Sequence, residues 1–155
     1  QDTNEVLAEA KVVTGQTYLS EVTEKAIDIV GYTKQEPTSQ TITIGLENNE
    51  IIFYYSKVEG LTYTVRYLEQ NTDIAVAEDK VVDGNVYEDE VTETAIEVKG
   101  YIAQDPTEQT ITIDVEDNEI TFYYAKRTDL SYTVNYLEKE TNEALAEAKV
   151  VTEQT

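Results

Sequence analysis

The chain of 155 residues has no cysteine, histidine, methionine or tryptophan, and only two prolines. Without Cys or His it can form neither a disulfide nor a thiolate or imidazole metal site, and it cannot build a Ser-His or Cys-His nucleophile pair. The missing cysteines remove any redox inference, since a cytosolic protein and an exported protein of a cell that avoids disulfides both fit. Basic residues are scarce, 11 Lys+Arg against 32 Asp+Glu for a net charge of −21. Such a surface repels nucleic acid and anionic membrane faces, which excludes both as direct partners. No run of apolar residues approaches the length of a membrane-spanning helix. The opening residues carry no basic, apolar signal segment, and the sequence reads as an interior stretch of a longer chain.

What is present is a repeat. Lys11, Lys80 and Lys149 sit in "EAKVVTGQT", "EDKVVDGNV" and "EAKVVTEQT", with a spacing of 80 − 11 = 149 − 80 = 69 residues. In the same register Gly31-Tyr32 falls on Gly100-Tyr101, Pro37-Thr38 on Pro106-Thr107, and "NEIIFYYSK" on "NEITFYYAK". A period this long, with each strand-like run recurring once, implies an array of small domains rather than a solenoid with a shared core. The expected division is 1–60, a first repeat lacking its first strand; 61–129, a complete repeat; and 130–155, the first hairpin of a third. Each unit is small and unstapled, so sheet and core packing must hold it together. The twelve tyrosines and the runs of Val, Ile and Thr supply that material, and the interspersed acids read as a solvated surface.

Along the complete repeat the apolar period is mostly two. "YTVRYL" puts Tyr63, Val65 and Tyr67 on one face, the polar turn "EQNTD" follows, and "IAVAEDKVV" returns as a second strand. "YEDEVTETAIEV" is the one candidate helix, with Val91 and Ala95 on a stripe and acids in its first turn. "QTITIDVEDNEITFYYAK" then predicts a second hairpin. Hairpin, short helical crossing, hairpin is the order of an α+β, sheet-dominated β-grasp domain, here in tandem. An all-β sandwich is the alternative if the candidate helix is extended.

The strand "YTVRYLE" with its copy "YTVNYLE", the "GNVY" and "GQTY" stretches, the "GY" pair and the closing "EITFYYAK" resemble the mucin-binding-protein (MucBP) type repeats of Gram-positive surface adhesins. The resemblance covers the whole chain. It implies a ubiquitin-like β-grasp fold, tandem display on an extracellular, cell-wall-anchored protein, and attachment to host mucin or other glycoproteins. Alternatively the repeats serve as a structural spacer with no ligand of their own.

The sequence predicts no enzyme. Its serines, Ser20, Ser39, Ser56 and Ser131, are not kept from one repeat to the next, and paired carboxylates arise everywhere in so acidic a chain. No cofactor is expected. Calcium would have to be held by the "DNE" or "DGN" turns, which lack the EF-hand spacing. A Lys80 isopeptide crosslink lacks a repeated partner, because Asn135 corresponds to Arg66. A ligand surface, if there is one, is expected on the uncovered sheet face at Thr64, Arg66, Thr112 and Tyr123, where polar and aromatic groups can stack on sugars. The short links "KVEGL" and "KRTDL" predict restrained neighbouring repeats. The surplus hairpin at 130–155 and the missing strand at 1–60 predict head-to-tail self-association.

Overall fold

The computed structural model describes residues 5–152. Among these the chain is all-β and contains no helix, with its strands distributed over several small sheets.

In the first repeat β1 (Glu21–Lys25) pairs antiparallel with β3 (Ser39–Thr43), and β2 (Tyr32–Lys34) pairs antiparallel with β4 (Tyr55–Lys57). The complete repeat follows with β5 (Glu59–Glu69), β6 (Lys80–Val86), β7 (Glu90–Thr94), β8 (Tyr101–Ala103), β9 (Glu108–Thr112) and β10 (Glu119–Lys126). β7 and β9 form a two-stranded sheet like that of β1 and β3, while β6, β5, β10 and β8 line up in that order as a four-stranded sheet. Its central pair, β5 and β10, is parallel, with Ile120 opposite Val65 and Phe122 opposite Tyr67. The third repeat contributes β11 (Ser131–Leu137) and β12 (Ala144–Thr152), an antiparallel ribbon.

The 69-residue period extends to individual bonds. Tyr55 Oη donates to the Ile27 carbonyl and Tyr124 Oη to the Ile96 carbonyl, each at 2.9 Å. The Thr23 and Thr41 hydroxyls meet across the ribbon at 2.7 Å, as do those of Thr92 and Thr110. The Asn49 side chain accepts from Gly45 N and donates back to its carbonyl, and Asn118 does the same at Asp114. Each asparagine thereby closes its turn with two bonds that recur one period on.

The candidate helix in "YEDEVTETAIEV" is not helical. Its centre is strand β7, whose exposure alternates residue by residue. Val91, Thr92 and Thr94 are β-branched and stiff at χ1, and the Thr92–Thr110 bond ties them across to β9. The α+β expectation is therefore corrected to all-β. The second predicted hairpin is corrected as well. The chain does reverse at 114–118, where the Asn118 side chain closes on Asp114, but β9 pairs with β7 while β10 runs between β5 and β8. Between the two strands Gln109 Nε2 donates to the Thr121 carbonyl at 2.7 Å. The opening hairpin stands as expected in the complete repeat, β5 with β6, and in the third, β11 with β12, although β6 begins at Lys80; ahead of it Leu68 makes an isolated antiparallel bridge to Ala75.

The chain divides into two compact units, and the division falls inside the complete repeat. One unit runs to Tyr63 and takes in Val82–Val91 and Ile111–Asn118; the other comprises Thr64–Val81, Thr92–Thr110 and the chain from Glu119 onward. In the first, Ala26, Ile44, Tyr63 and Ile113 are buried. The second buries Val65, Tyr67, Ile120, Phe122 and Tyr124, the inward face of the β5–β10 pair. There Tyr67 stacks on Phe122 at 6.2 Å between centroids and meets Tyr124 edge-on at 6.3 Å, geometries that add to the gain from area alone.

Candidate functional site

Two places hold side chains beyond what a core requires. The first is the joint at which the first repeat meets the opening hairpin of the second. β4 ends at Lys57 and β5 begins at Glu59, so Val58 alone separates them. Its backbone is bonded on both sides: Val58 N donates to the Gly31 carbonyl at 2.8 Å, and Tyr87 N donates to the Val58 carbonyl at 2.9 Å. Gly31 has a φ of +77°, a conformation L side chains rarely adopt, and its bare α-carbon lies under the Tyr87 ring. Tyr32, the next residue, meets the same ring edge-to-face at 5.7 Å and 74°. Tyr87 is aimed by the turn that follows β6, where Val86 N donates to Asp89 Oδ2 and Asp89 N to the Val86 carbonyl.

Glu88 completes the joint. Its carboxylate takes the Lys57 ammonium at 2.9 Å and the Tyr32 hydroxyl at 3.4 Å. The bond to Glu88 raises the Lys57 pKa above its ordinary value. The Tyr32 pKa is raised first by burial and then by the Glu88 charge. Both members of the Lys57–Glu88 pair are well exposed, so the pair adds little stability and chiefly fixes orientation. One period on, Arg127 N donates to the Gly100 carbonyl at 3.0 Å, repeating the Val58–Gly31 bond.

The second place is the outward face of the β5–β10 pair. Thr64, Arg66 and Tyr123 share it, since Glu119 lies opposite Thr64, Thr121 opposite Arg66 and Tyr123 opposite Leu68. Thr64 is half-buried and Arg66 exposed. Tyr123 is 42% exposed, and Tyr54, its counterpart in the first repeat, is 62% exposed. Thr112 is not part of this face: it lies on β9, in the separate two-stranded sheet and in the other compact unit. Arg66 is engaged by Glu119 at 3.2 Å and Asp79 at 3.7 Å, so the one cation on the face is already neutralised.

Among the described residues no group of three or more acidic side chains is placed to hold a metal ion. In the turns weighed for calcium, Asp83 accepts from the Thr62 hydroxyl, Asn85 donates to the Leu61 and Val82 carbonyls, and Asn118 is committed to Asp114. Lys80, the residue weighed for a crosslink, pairs with Glu93 at 2.6 Å, as Lys11 does with Glu24 at 2.7 Å. The joint was legible only as the motifs "GY" and "GNVY". Nothing in them says that the tyrosine of one covers the glycine of the other, 56 residues away.

No protein-family model matches the chain, and no curated protein matches it.

Proposed function

We infer that this chain is a run of MucBP-like repeats from a surface adhesin of a Gram-positive bacterium, acting without catalysis as a spacer that carries load between the cell wall and a binding tip. The observation that carries the reading is the joint. A spacer must pass force from repeat to repeat without a slack link, and Val58 is bonded forward to Tyr87 and back to Gly31 with no free residue between strands. β5, the strand that leaves the joint, is a central strand of the β6-β5-β10-β8 sheet, so load entering there reaches that sheet directly. A surface of net charge −21 keeps such repeats soluble at high density on a wall.

A second reading, direct binding of mucin glycans, is favoured by the exposed Tyr123 and Tyr54 at equivalent positions. Against it stands like charge, since sialylated or sulfated mucin is anionic. A mucin-binding assay on the immobilised chain, with and without calcium and at two salt concentrations, separates the two. A spacer gives no saturable binding in any arm. Saturable binding that Tyr123→Ala abolishes would make the repeat a ligand module.

A further inference from the structure

The turn that aims Tyr87 has a twin one period earlier. Asp89 N donates to the Val86 carbonyl and Ser20 N to the Thr17 carbonyl, each at 3.0 Å, so Glu88 and Leu19 are the third residues of equivalent four-residue turns. Both stand in the left-handed region, at φ of +66° and +65°, where glycine is the ordinary occupant. The surrounding backbone is bonded alike. Glu88 N donates to the Ile113 carbonyl and Ile113 N to that of Asp89, as Leu19 N does to Ile44 and Ile44 N to Ser20, all at 2.8 Å. The turn therefore closes with either side chain in place. A side chain kept where the backbone disfavours one points to a role outside the turn.

Glu88 shows what that role is. One oxygen of its carboxylate, Oε2, takes both the Lys57 ammonium at 2.9 Å and the Tyr32 hydroxyl at 3.4 Å. Tyr32 and Lys57 lie directly opposite each other in the β2–β4 register, so the pairing of that ribbon is what presents the two groups together. Tyr87, beside Glu88 in the turn, covers Gly31 and meets Tyr32 edge-on. Two adjacent residues of the second repeat thus read one end of a ribbon of the first, the ring reading the bare glycine and the carboxylate the lysine and tyrosine. The half that is read recurs one period on as Gly100-Tyr101, with Lys126 opposite Tyr101. The tyrosine of the reading half recurs as Tyr18. The member that changes is the third residue of the turn, Glu88 in one repeat and Leu19 in the other.

We propose that this turn position selects the neighbouring repeat: Glu88 accepts ahead of its own repeat a ribbon end that sets a lysine opposite a tyrosine, and rejects one that carries an acid there. Tyr87 and Gly31 give the contact its fit, and the charge at 88 gives it its sign. The selection acts chiefly by exclusion, because most charged residues of this chain are acidic and like charges across a contact repel. A leucine brings no charge to match, so a turn of the Leu19 kind is indifferent to the choice. The inference rests on the joint alone and does not depend on the adhesin reading.

Amide hydrogen exchange of the full chain, followed by NMR, tests it at Tyr87 and Val58, whose amides donate across the joint to the Val58 and Gly31 carbonyls. Lys57→Glu and Glu88→Lys are each expected to speed exchange at both amides about two- to fivefold at low salt, and the chain carrying both to return to wild-type rates. Salt at about 1 M should shrink the effect of each single variant. Glu88→Gly separates selection from support of the turn. It frees the left-handed backbone and is expected to keep the urea midpoint at or above the wild-type value while exchange across the joint quickens. Protection along β10 should be the same in every variant, showing that the fold is intact. A doubly exchanged chain no better protected than the single variants overturns the proposal, as does a Glu88→Gly chain whose Tyr87 and Val58 amides exchange as slowly as in the wild type.

Discussion

Tyr87 lays its ring over Gly31 so closely that a Cβ built on the glycine would collide with the ring's Cε1. No side chain fits there while the tyrosine stays. Gly100, the same position one period on, has a φ of +84° and nothing within 4 Å of a Cβ. The two glycines therefore share the backbone demand and differ in the contact.

That difference predicts the outcome of substitution. Gly100→Ala costs only the strain of a left-handed alanine, about 1–2 kcal/mol. Gly31→Ala costs the same strain and in addition expels the Tyr87 ring, losing an aromatic contact of about 0.5–1.5 kcal/mol beyond its buried area. In a Tyr87→Ala background the Gly31→Ala cost is expected to fall to that of Gly100→Ala, which a double-mutant cycle of denaturant melts measures.

Core truncation is expected to read out the difference in burial between equivalent positions of the two repeats. Phe122 is fully buried, and Phe122→Ala should cost about 3–5 kcal/mol. Phe53, its half-buried counterpart, should cost about 1 kcal/mol in dilute solution. The comparison is made by urea melts at low concentration, where the two values should differ severalfold.

Tyr124→Phe removes a single hydroxyl and leaves the Ile96 carbonyl without that donor. The expected loss is about 1–2 kcal/mol, read as a lower melting temperature with the strand pairing intact by circular dichroism.

Stability is expected to fall at both ends of the pH scale. The Asp129 carboxyl is held below its ordinary value of 3.8 by the Arg127 side chain, and Glu138 below 4.5 by the Thr141 hydroxyl and neighbouring backbone amides. Groups lowered in this way stabilise the fold above their unfolded values, and that contribution is lost as pH drops through the folded ones. At the alkaline end, burial raises Tyr67 and Tyr124 above 10.0, while bonds to Glu88 and Glu69 raise Lys57 and Lys126 above 10.5. Their contributions are present below the ordinary values and disappear as pH climbs through the raised ones. A melting series from pH 3 to 12 should show declines below about 4 and above about 10, with a gentle maximum near 5 where self-repulsion eases.

The repeat, the first hairpins and the inward faces of β5 and β10 were legible because each is a short-range pattern. Alternation at Tyr63, Val65 and Tyr67 states which side is buried without reference to anything distant. β7 was misread because acids in a first turn and a loose stripe at Val91 and Ala95 mimic a helix, and the deciding contact, Thr92 to Thr110, lies across the sheet. The second hairpin failed for a related reason, since a turn sequence fixes a reversal and not the partner of the strand that leaves it. Thr112 was grouped with Thr64 and Tyr123 on the assumption that one sheet held them all. The joint stayed hidden because it depends on a ring reaching a bare α-carbon across the chain, which no window of sequence displays.

The asparagine clasps at Asn49 and Asn118 and the tyrosine bonds at Tyr55 and Tyr124 recur with the same partners at the same spacing. A gene encoding such a chain can recombine out of register with itself, and a copy that gains or drops 69 codons remakes each of these bonds at the new seam. The number of repeats then becomes a trait that selection can raise or lower in whole steps, without a new fold having to be found at each one.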